Sequence, residues 1–264
     1  MIAPALQREL DSRADAAVAY GTLDWSVLPA HGVRSNGCCT CDRWDCDRPG
    51  KHPARTNYKA MATTDAMTLR SYWRIIPFNL ALLIDASVIV IDVDDLTAFD
   101  TMRRFRPWPV TPTVTTARGM HLYFRWPLDG ASPSVGGLDR SKVDVKGSDE
   151  LVTLPPSTGR DGFRYTWRDG ESPWDIPLAS VPLAFAEHAA RIVAKRTAAQ
   201  TSREDVTTLD GALKLAHRRA GYASRTSNGA GRGKAGLSRT LTEAGASSHV
   251  ITAALDAFTA EAGR

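Results

Sequence analysis

The sequence predicts a mixed α/β fold of the α+β kind, followed by a small C-terminal helical domain. Three observations lead there. Between Asn79 and Trp167 the chain is a series of short apolar or β-branched runs broken by glycine, proline and aspartate turns. Amphipathic helical patterns flank that region, at residues 1–22 and 183–196. From about Thr197 the composition shifts to Ala, Thr, Ser, Gly and Arg, with helical patterns at 209–219 and 249–262. The expected organisation is therefore a main domain at 1–196 and a helical appendage at 197–264.

The elements follow in order. Leu6, Leu10, Ala14, Ala17 and Val18 form one stripe at helical spacing in residues 1–22. Trp25 to Pro29 reads as a short strand ended by proline. Thr63, Thr64 and Asp65 offer N-caps for a helix from Ala66 to Ile75, stopped by Pro77. Asn79–Ile84 and Val88–Asp95 read as two arms of a hairpin around Asp85-Ala86-Ser87. A helix is expected at Leu96–Phe105. A second hairpin is expected from Thr113–Thr116 and His121–Phe124, turning at Ala117-Arg118-Gly119. Short β patterns recur at Lys142–Gly147, Glu150–Leu154 and Phe163–Trp167, and residues 129–140 read as a glycine-rich loop. Asn228–Gly236 (NGAGRGKAG) lacks the first glycine and the Ser/Thr of a phosphate loop and reads as a flexible basic loop.

Bulk properties restrict the function classes. A net charge of +4 and a pI near 9.0 permit a phosphate-rich partner without demanding one. No run of 18 apolar residues exists, which excludes a helical membrane span. The charged first twenty residues read as a helix, not a signal peptide, so a cytoplasmic location is expected.

Two segments carry metal chemistry. All four cysteines fall between Cys38 and Cys46, too close together for a disulfide framework. Cys39, Cys41, Cys46 and His52 supply four ligands suited to tetrahedral Zn²⁺ in a knuckle-like segment at 38–52, with Cys38 a possible substitute. Four free thiols, or a Lys51–His52 pair facing a phosphate, are the competing readings.

The second segment is VIVIDVDD, Val88 to Asp95. Asp92 and Asp94 at i, i+2 lie on one face of a strand, about 6–7 Å apart. Like charges so placed repel unless a divalent cation lies between them; the bland reading is a strand with a polar end. Asp95 falls on the opposite face. His121 starts a later strand beside Gly119, and Asp144 lies between two valines, a costly place for an unpartnered carboxylate. Three carboxylates can hold one or two hard cations, and His121, Arg118 and Lys146 can face a triphosphate. The hydroxyl of Ser157, in the rigid Pro155–Gly159 turn, is a further phosphate donor. That set suits in-line nucleotidyl transfer.

The ordered motifs DVD, T-x-x-G-x-H-L-Y-F, V-D-V-K-G and PPS-x-G-x-x-G-x-x-Y-x-W resemble the archaeo-eukaryotic primase superfamily. The closest group is the bifunctional primase-polymerase (Prim-Pol) domain of phage and plasmid replication proteins. The cysteine stretch ending in GKHP is similar to that group too, and the resemblance covers Trp25 to Trp167. It implies an N-terminal α/β unit joined to an RRM-like sheet, and primer synthesis and extension on single-stranded DNA from NTPs and dNTPs. It implies Mg²⁺ or Mn²⁺ on Asp92, Asp94 and Asp144, His121 on the nucleotide phosphates, and a helicase domain as a frequent partner. Gly119 stands where the family pattern often has serine, which leaves a phosphate contact there to the backbone or to Arg118.

Two other classes compete. A nuclease or glycosyltransferase also uses DxD, but a nuclease needs no His121–Arg118 cradle, and a glycosyltransferase rarely carries a zinc knuckle or a basic pI. A non-catalytic origin- or single-strand-binding module would display sheet aromatics, with the three aspartates as an unwelcome negative patch.

Overall fold

A computed structural model describes residues 4–138, 141–203, 208–223 and 229–262. Residues 1–3 of the expected first helix, 139–140 of the glycine-rich loop, and Asn228 lie outside the described residues. The chain divides into two compact units, Met1–Val193 and Ala194–Arg264.

The first unit is α+β. Its elements are α1 (Pro4–Gly21), β1 (Val27–Ala30), α2 (Tyr58–Met61), α3 (Ala66–Tyr72), β2 (Asn79–Leu83) and β3 (Val88–Val93). A 3-10 helix (Leu96–Phe105) follows, then β4 (Thr113–Thr115), β5 (Met120–Arg125), β6 (Val143–Lys146), β7 (Leu151–Leu154) and β8 (Thr166–Trp167). α4 (Leu183–Arg203) begins in this unit. The strands form a three-stranded sheet ordered β1-β2-β7 and a five-stranded sheet ordered β6-β3-β5-β4-β8, with every pairing antiparallel.

β3 lies inside the larger sheet and is covered on both faces. Val88 and Val90 enter a core with Leu80, Leu82, Trp25 and Tyr123, between the two sheets and under α1 and α3. Ile89, Ile91 and Val93 enter a second core with Met102, Phe105 and Phe185, from the 3-10 helix and α4. Burial on both faces explains why this strand is apolar without alternation. β3 and β4 run in the same direction with β5 between them, and the 3-10 helix lies on the crossover.

The second hairpin forms as expected, with Thr115 opposite Met120. The first does not. β2 pairs with β1 and β7, whereas β3 pairs with β5 and β6, so residues 85–87 pass the chain from one sheet to the other. Asp85 fixes that transfer, its Oδ1 accepting from Ser87 N (2.6 Å), Ser87 Oγ (2.7 Å) and Val88 N (3.1 Å). Two adjacent apolar runs do not specify each other as partners when other strands can cover them.

α3 starts on its Asp65 cap, which accepts from Thr68 N at 2.7 Å, but stops at Tyr72 rather than Ile75. Trp73 breaks away there, its indole N–H donating to Phe78 O at 2.7 Å. Asp95 caps the 3-10 helix through Thr97 N at 3.0 Å. In the second unit, α5 (Leu209–Ala223), α6 (Gly229–Glu243) and α7 (Ser248–Ala262) share a core containing Ala212, Ala216, Leu237, Leu241, Ala254 and Phe258. The glycine-rich stretch expected as a loop is thus largely helical. Leu237 and Leu241, one turn apart, give it a buried edge that its glycine content hides.

Asn79 is the polar tie of the first unit. Fully buried, it donates to Gly50 O (2.9 Å) and Thr158 O (2.8 Å), and accepts from Thr158 N (3.1 Å) and Arg13 Nη1 (3.1 Å). Asn79→Ala leaves several buried groups without partners, and is expected to lower unfolding free energy by about 2–4 kcal/mol in a denaturant titration.

Candidate active site

The row of charged side chains across the larger sheet follows from its register. Asp92 on β3 is directly opposite His121 on β5 and Asp144 on β6. All three lie on the face that carries Val88, Val90 and Tyr123 inward, where that core ends and solvent begins. His121 Nε2 stands 3.5 Å from Asp92 Oδ1. Burial, opposed by Asp92, pushes the His121 imidazole below its usual range, so it is neutral at pH 7. Its Nδ1 is buried without a hydrogen-bond partner.

Asp94 follows the end of β3, held by its N–H to Lys142 O at 3.0 Å, and pairs with Arg118 Nη2 at 2.9 Å. Asp144 Oδ1 accepts from Gly137 N at 2.6 Å, and its Oδ2 meets Lys146 Nζ at 3.3 Å. Asp95 faces away as expected and is occupied as the helix cap.

Gly119 has a steric role. A Cβ there would lie 1.8 Å from the Val93 carbonyl oxygen, so the β4–β5 turn can close against the end of β3 only without a side chain. Its N–H donates to Thr116 Oγ1 at 3.0 Å. The position is therefore committed to packing.

A cleft of about 560 Å³ opens over this end of the sheet. Asp92, Asp94, Arg118 and His121 line it, so the structure brings four of the expected site residues together. Asp144, Lys146, Gly119 and Ser157 are not among its lining residues. Ser157 is a plain departure from expectation: it is fully buried, its Oγ accepting from Leu80 N at 2.9 Å and donating to Leu80 O at 3.3 Å. That hydroxyl joins the Pro155–Pro156 turn to β2 and does not face the cleft.

The cleft also contains residues that sequence reasoning passed over: Asp47, Arg48, Arg160, Asp161 and Tyr165, with Lys51 noted only in passing. Tyr165 lies 5.8 Å from the His121 ring, and burial, then Asp92, push its phenol up to about 12. It stays protonated and able to donate. The signal for the others was their place beside Cys46, His52 and Gly159.

Cys39, Cys41, Cys46 and His52 bring one ligand atom each to within 4.8 Å of one another. His52 Nε2 is 3.3 Å from Cys39 Sγ and 3.5 Å from Cys46 Sγ. Ligands about 2.0–2.3 Å from a tetrahedral centre require separations of that order, so the set fits Zn²⁺. Cys38 is exposed and outside the set. His31, which the sequence did not single out, packs 4.6 Å from His52 and donates its backbone N–H to His52 O at 2.9 Å. Among the described residues this is the one group of three or more such side chains drawn so close; the aspartates around Asp92 are spread more widely.

These features define an α+β domain whose acidic, histidine-bearing sheet end faces a cleft with cationic side chains. The family described as bifunctional DNA primase/polymerase, N-terminal, matches residues 17–184, and the chain belongs to that family. Membership supports a DNA primase/polymerase function, with DNA and nucleotides as substrates. No curated protein and no solved structure matches the chain. Among the described residues no helix is long and apolar enough to cross a membrane.

Gly119→Ala forces the turn away from β3, and is expected to cost about 3 kcal/mol or more. Urea unfolding monitored by tryptophan fluorescence measures it; wild-type stability would refute the packing role.

Proposed function

We propose that the cleft carries out template-directed nucleotidyl transfer, synthesising and extending primers on single-stranded DNA in phage or plasmid replication. The observation that carries this reading is the cross-strand row Asp144–Asp92–His121, with Asp94 two residues beyond Asp92 in the same cleft. Asp92, Asp94 and Asp144 would hold one or two Mg²⁺ or Mn²⁺ ions. Bound there, the ions would lower the pKa of the primer 3′-hydroxyl and neutralise the leaving pyrophosphate.

The rest is the work of the chain's own residues. Asp94 pairs with Arg118 at 2.9 Å, and would exchange that partner for a metal ion. Arg118, exposed at the turn, is placed to exchange Asp94 for a phosphate oxygen. Neutral His121 donates one N–H to a phosphate oxygen from a buried, fixed position. Asp144 uses two of its lone-pair directions on Gly137 and Lys146 and keeps the others. Lys146 serves chiefly to balance Asp144. The order β6-β3-β5-β4, with β3 and β4 parallel about β5, supports an RRM-like unit.

The single-strand-binding alternative loses its main support. Tyr123, Trp25 and Tyr165 are buried, with Trp25 stacked on Tyr123 at 5.4 Å, so these aromatics are core rather than a base-stacking surface. A helicase, in the same polypeptide or in trans, is the partner this reading calls for.

With a single-stranded template, a primer, labelled nucleotides and Mg²⁺ or Mn²⁺, Asp92→Ala and Asp94→Ala should each reduce elongation by roughly two orders of magnitude or more. Asp95→Ala should keep activity while costing about 1 kcal/mol of stability through the lost cap. Elongation surviving the combined Asp92→Ala and Asp94→Ala change would sink the reading.

We also propose that Cys39, Cys41, Cys46 and His52 hold a structural zinc ion. Metal analysis of freshly purified protein should give about one zinc per chain. Cys46→Ser should lower that value and the thermal midpoint together, whereas Cys38→Ser should change neither.

A further inference from the structure

Between two of the clustered ligands, Cys46 and His52, the chain carries Asp47, Arg48, Pro49, Gly50 and Lys51. This short span is held at several points. Its end hangs from the smaller sheet, through His31 N to His52 O (2.9 Å) and a bridge between Pro53 and Ala30. Its middle is tied by Asn79 to Gly50 O, and Gly50 adopts φ +75 with no room for a side chain beside Val33. Arg48 and Lys51 are thereby set into the cleft that contains Asp92, Asp94 and His121, with Arg160 joining them from the turn after Gly159. Lys51 is near enough for its charge to act on His121.

The pairing pattern sets these three cations apart. Neighbouring basic groups are matched: Arg43 with Asp45, Arg118 with Asp94, Lys146 with Asp144. Among the described residues, Arg48, Lys51 and Arg160 have no carboxylate within ion-pair distance, although Asp47 and Asp161 line the same cleft. Converging unpaired cations in a concave site are an anion-binding arrangement.

We infer that Arg48, Lys51 and Arg160 hold the polyphosphate of the incoming nucleoside triphosphate, which makes the cysteine–histidine loop a wall of the nucleotide site. The inference rests on the nucleotidyl-transfer reading and adds to it the residues that grip the substrate's charge. The volume of about 560 Å³ lies within the range of small-ligand sites. A triphosphate in this cleft has cationic side chains along it and the Asp92–Asp94 pair beside the reacting end. The zinc-holding loop then acts as a positioning frame for Arg48 and Lys51.

The test measures binding of dATP, and separately of inorganic triphosphate, to the full chain with Mg²⁺, for wild type and the double variant Arg48→Ala, Lys51→Ala. Zinc content, thermal midpoint, affinity for a single-stranded oligonucleotide and the KM and kcat of elongation are read alongside. The double variant should weaken both phosphate ligands by about tenfold or more and raise the nucleotide KM similarly. Its kcat should stay within about threefold, and zinc and oligonucleotide affinity should not change. The charge-conserving Lys51→Arg, with Arg48 intact, should keep near wild-type affinity for both ligands, and Trp44→Ala, at the 98% exposed tip of the same loop, should change nothing. Unchanged affinities for dATP and triphosphate would overturn the inference, as would a fall in oligonucleotide affinity instead, which would make the wall a template grip. Should the double variant lose zinc, Arg160→Ala, outside the loop, decides: unchanged triphosphate affinity there overturns the inference. Failure of the underlying function has a separate signature, elongation that persists without Asp92 and Asp94.

Discussion

The covering of β3 on both faces is the constraint from which the site follows. A strand with a core on each face is withdrawn from water, and a neighbour on each edge then satisfies its backbone N–H and C=O groups. Those neighbours, β5 and β6, bring His121 and Asp144 level with Asp92. The alternation that sends Ile89, Ile91 and Val93 into one core sends Val88 and Val90 into the other, and Asp92 emerges where the second core ends. A slip of one residue in this register would bury the carboxylate under the 3-10 helix, so the packing of apolar side chains also guards the position of the charged ones.

Charge is distributed to match. The chain as a whole is basic, and in the cleft Asp92 and Asp94 stand at the end of the larger sheet while Arg48, Lys51 and Arg160 come from two loops of the smaller one. Arg118 on Asp94 and Lys146 on Asp144 limit the repulsion that three neighbouring aspartates would otherwise impose on the fold. Burial keeps His121 neutral, which avoids a fixed positive charge in competition with cations for the same carboxylates.

Much of this was legible in the sequence, and the limits have physical causes. The convergence of Asp92, Asp94 and His121, and the clustering of Cys39, Cys41, Cys46 and His52, could be read because each reading rests on particular residue types at a particular spacing. Arg118 and the β4–β5 hairpin could be read because the turn is local. The separation of β2 from β3 could not, since an apolar run states that it is buried but not beside which strand. Ser157 misled because a hydroxyl in a proline turn looks the same whether it meets a phosphate or the backbone of Leu80. Arg48 and Arg160 were overlooked because long basic side chains are usually solvated, and only tertiary structure brings two distant loops to one cleft. The glycines of α6 concealed a helix whose buried edge rests on few leucines.

The amide of Asn79 has a consequence for motion. One buried side chain joins α1, the cysteine–histidine loop and the Pro-Pro turn, whose contacting residues lie 66, 29 and 79 residues from it in sequence. Either cleft wall that loosens alone leaves part of the buried amide that also holds the other without a partner. Local opening of the wall carrying Arg48 and of the wall carrying Arg160 is thereby coupled, because each opening weakens the anchor of the other.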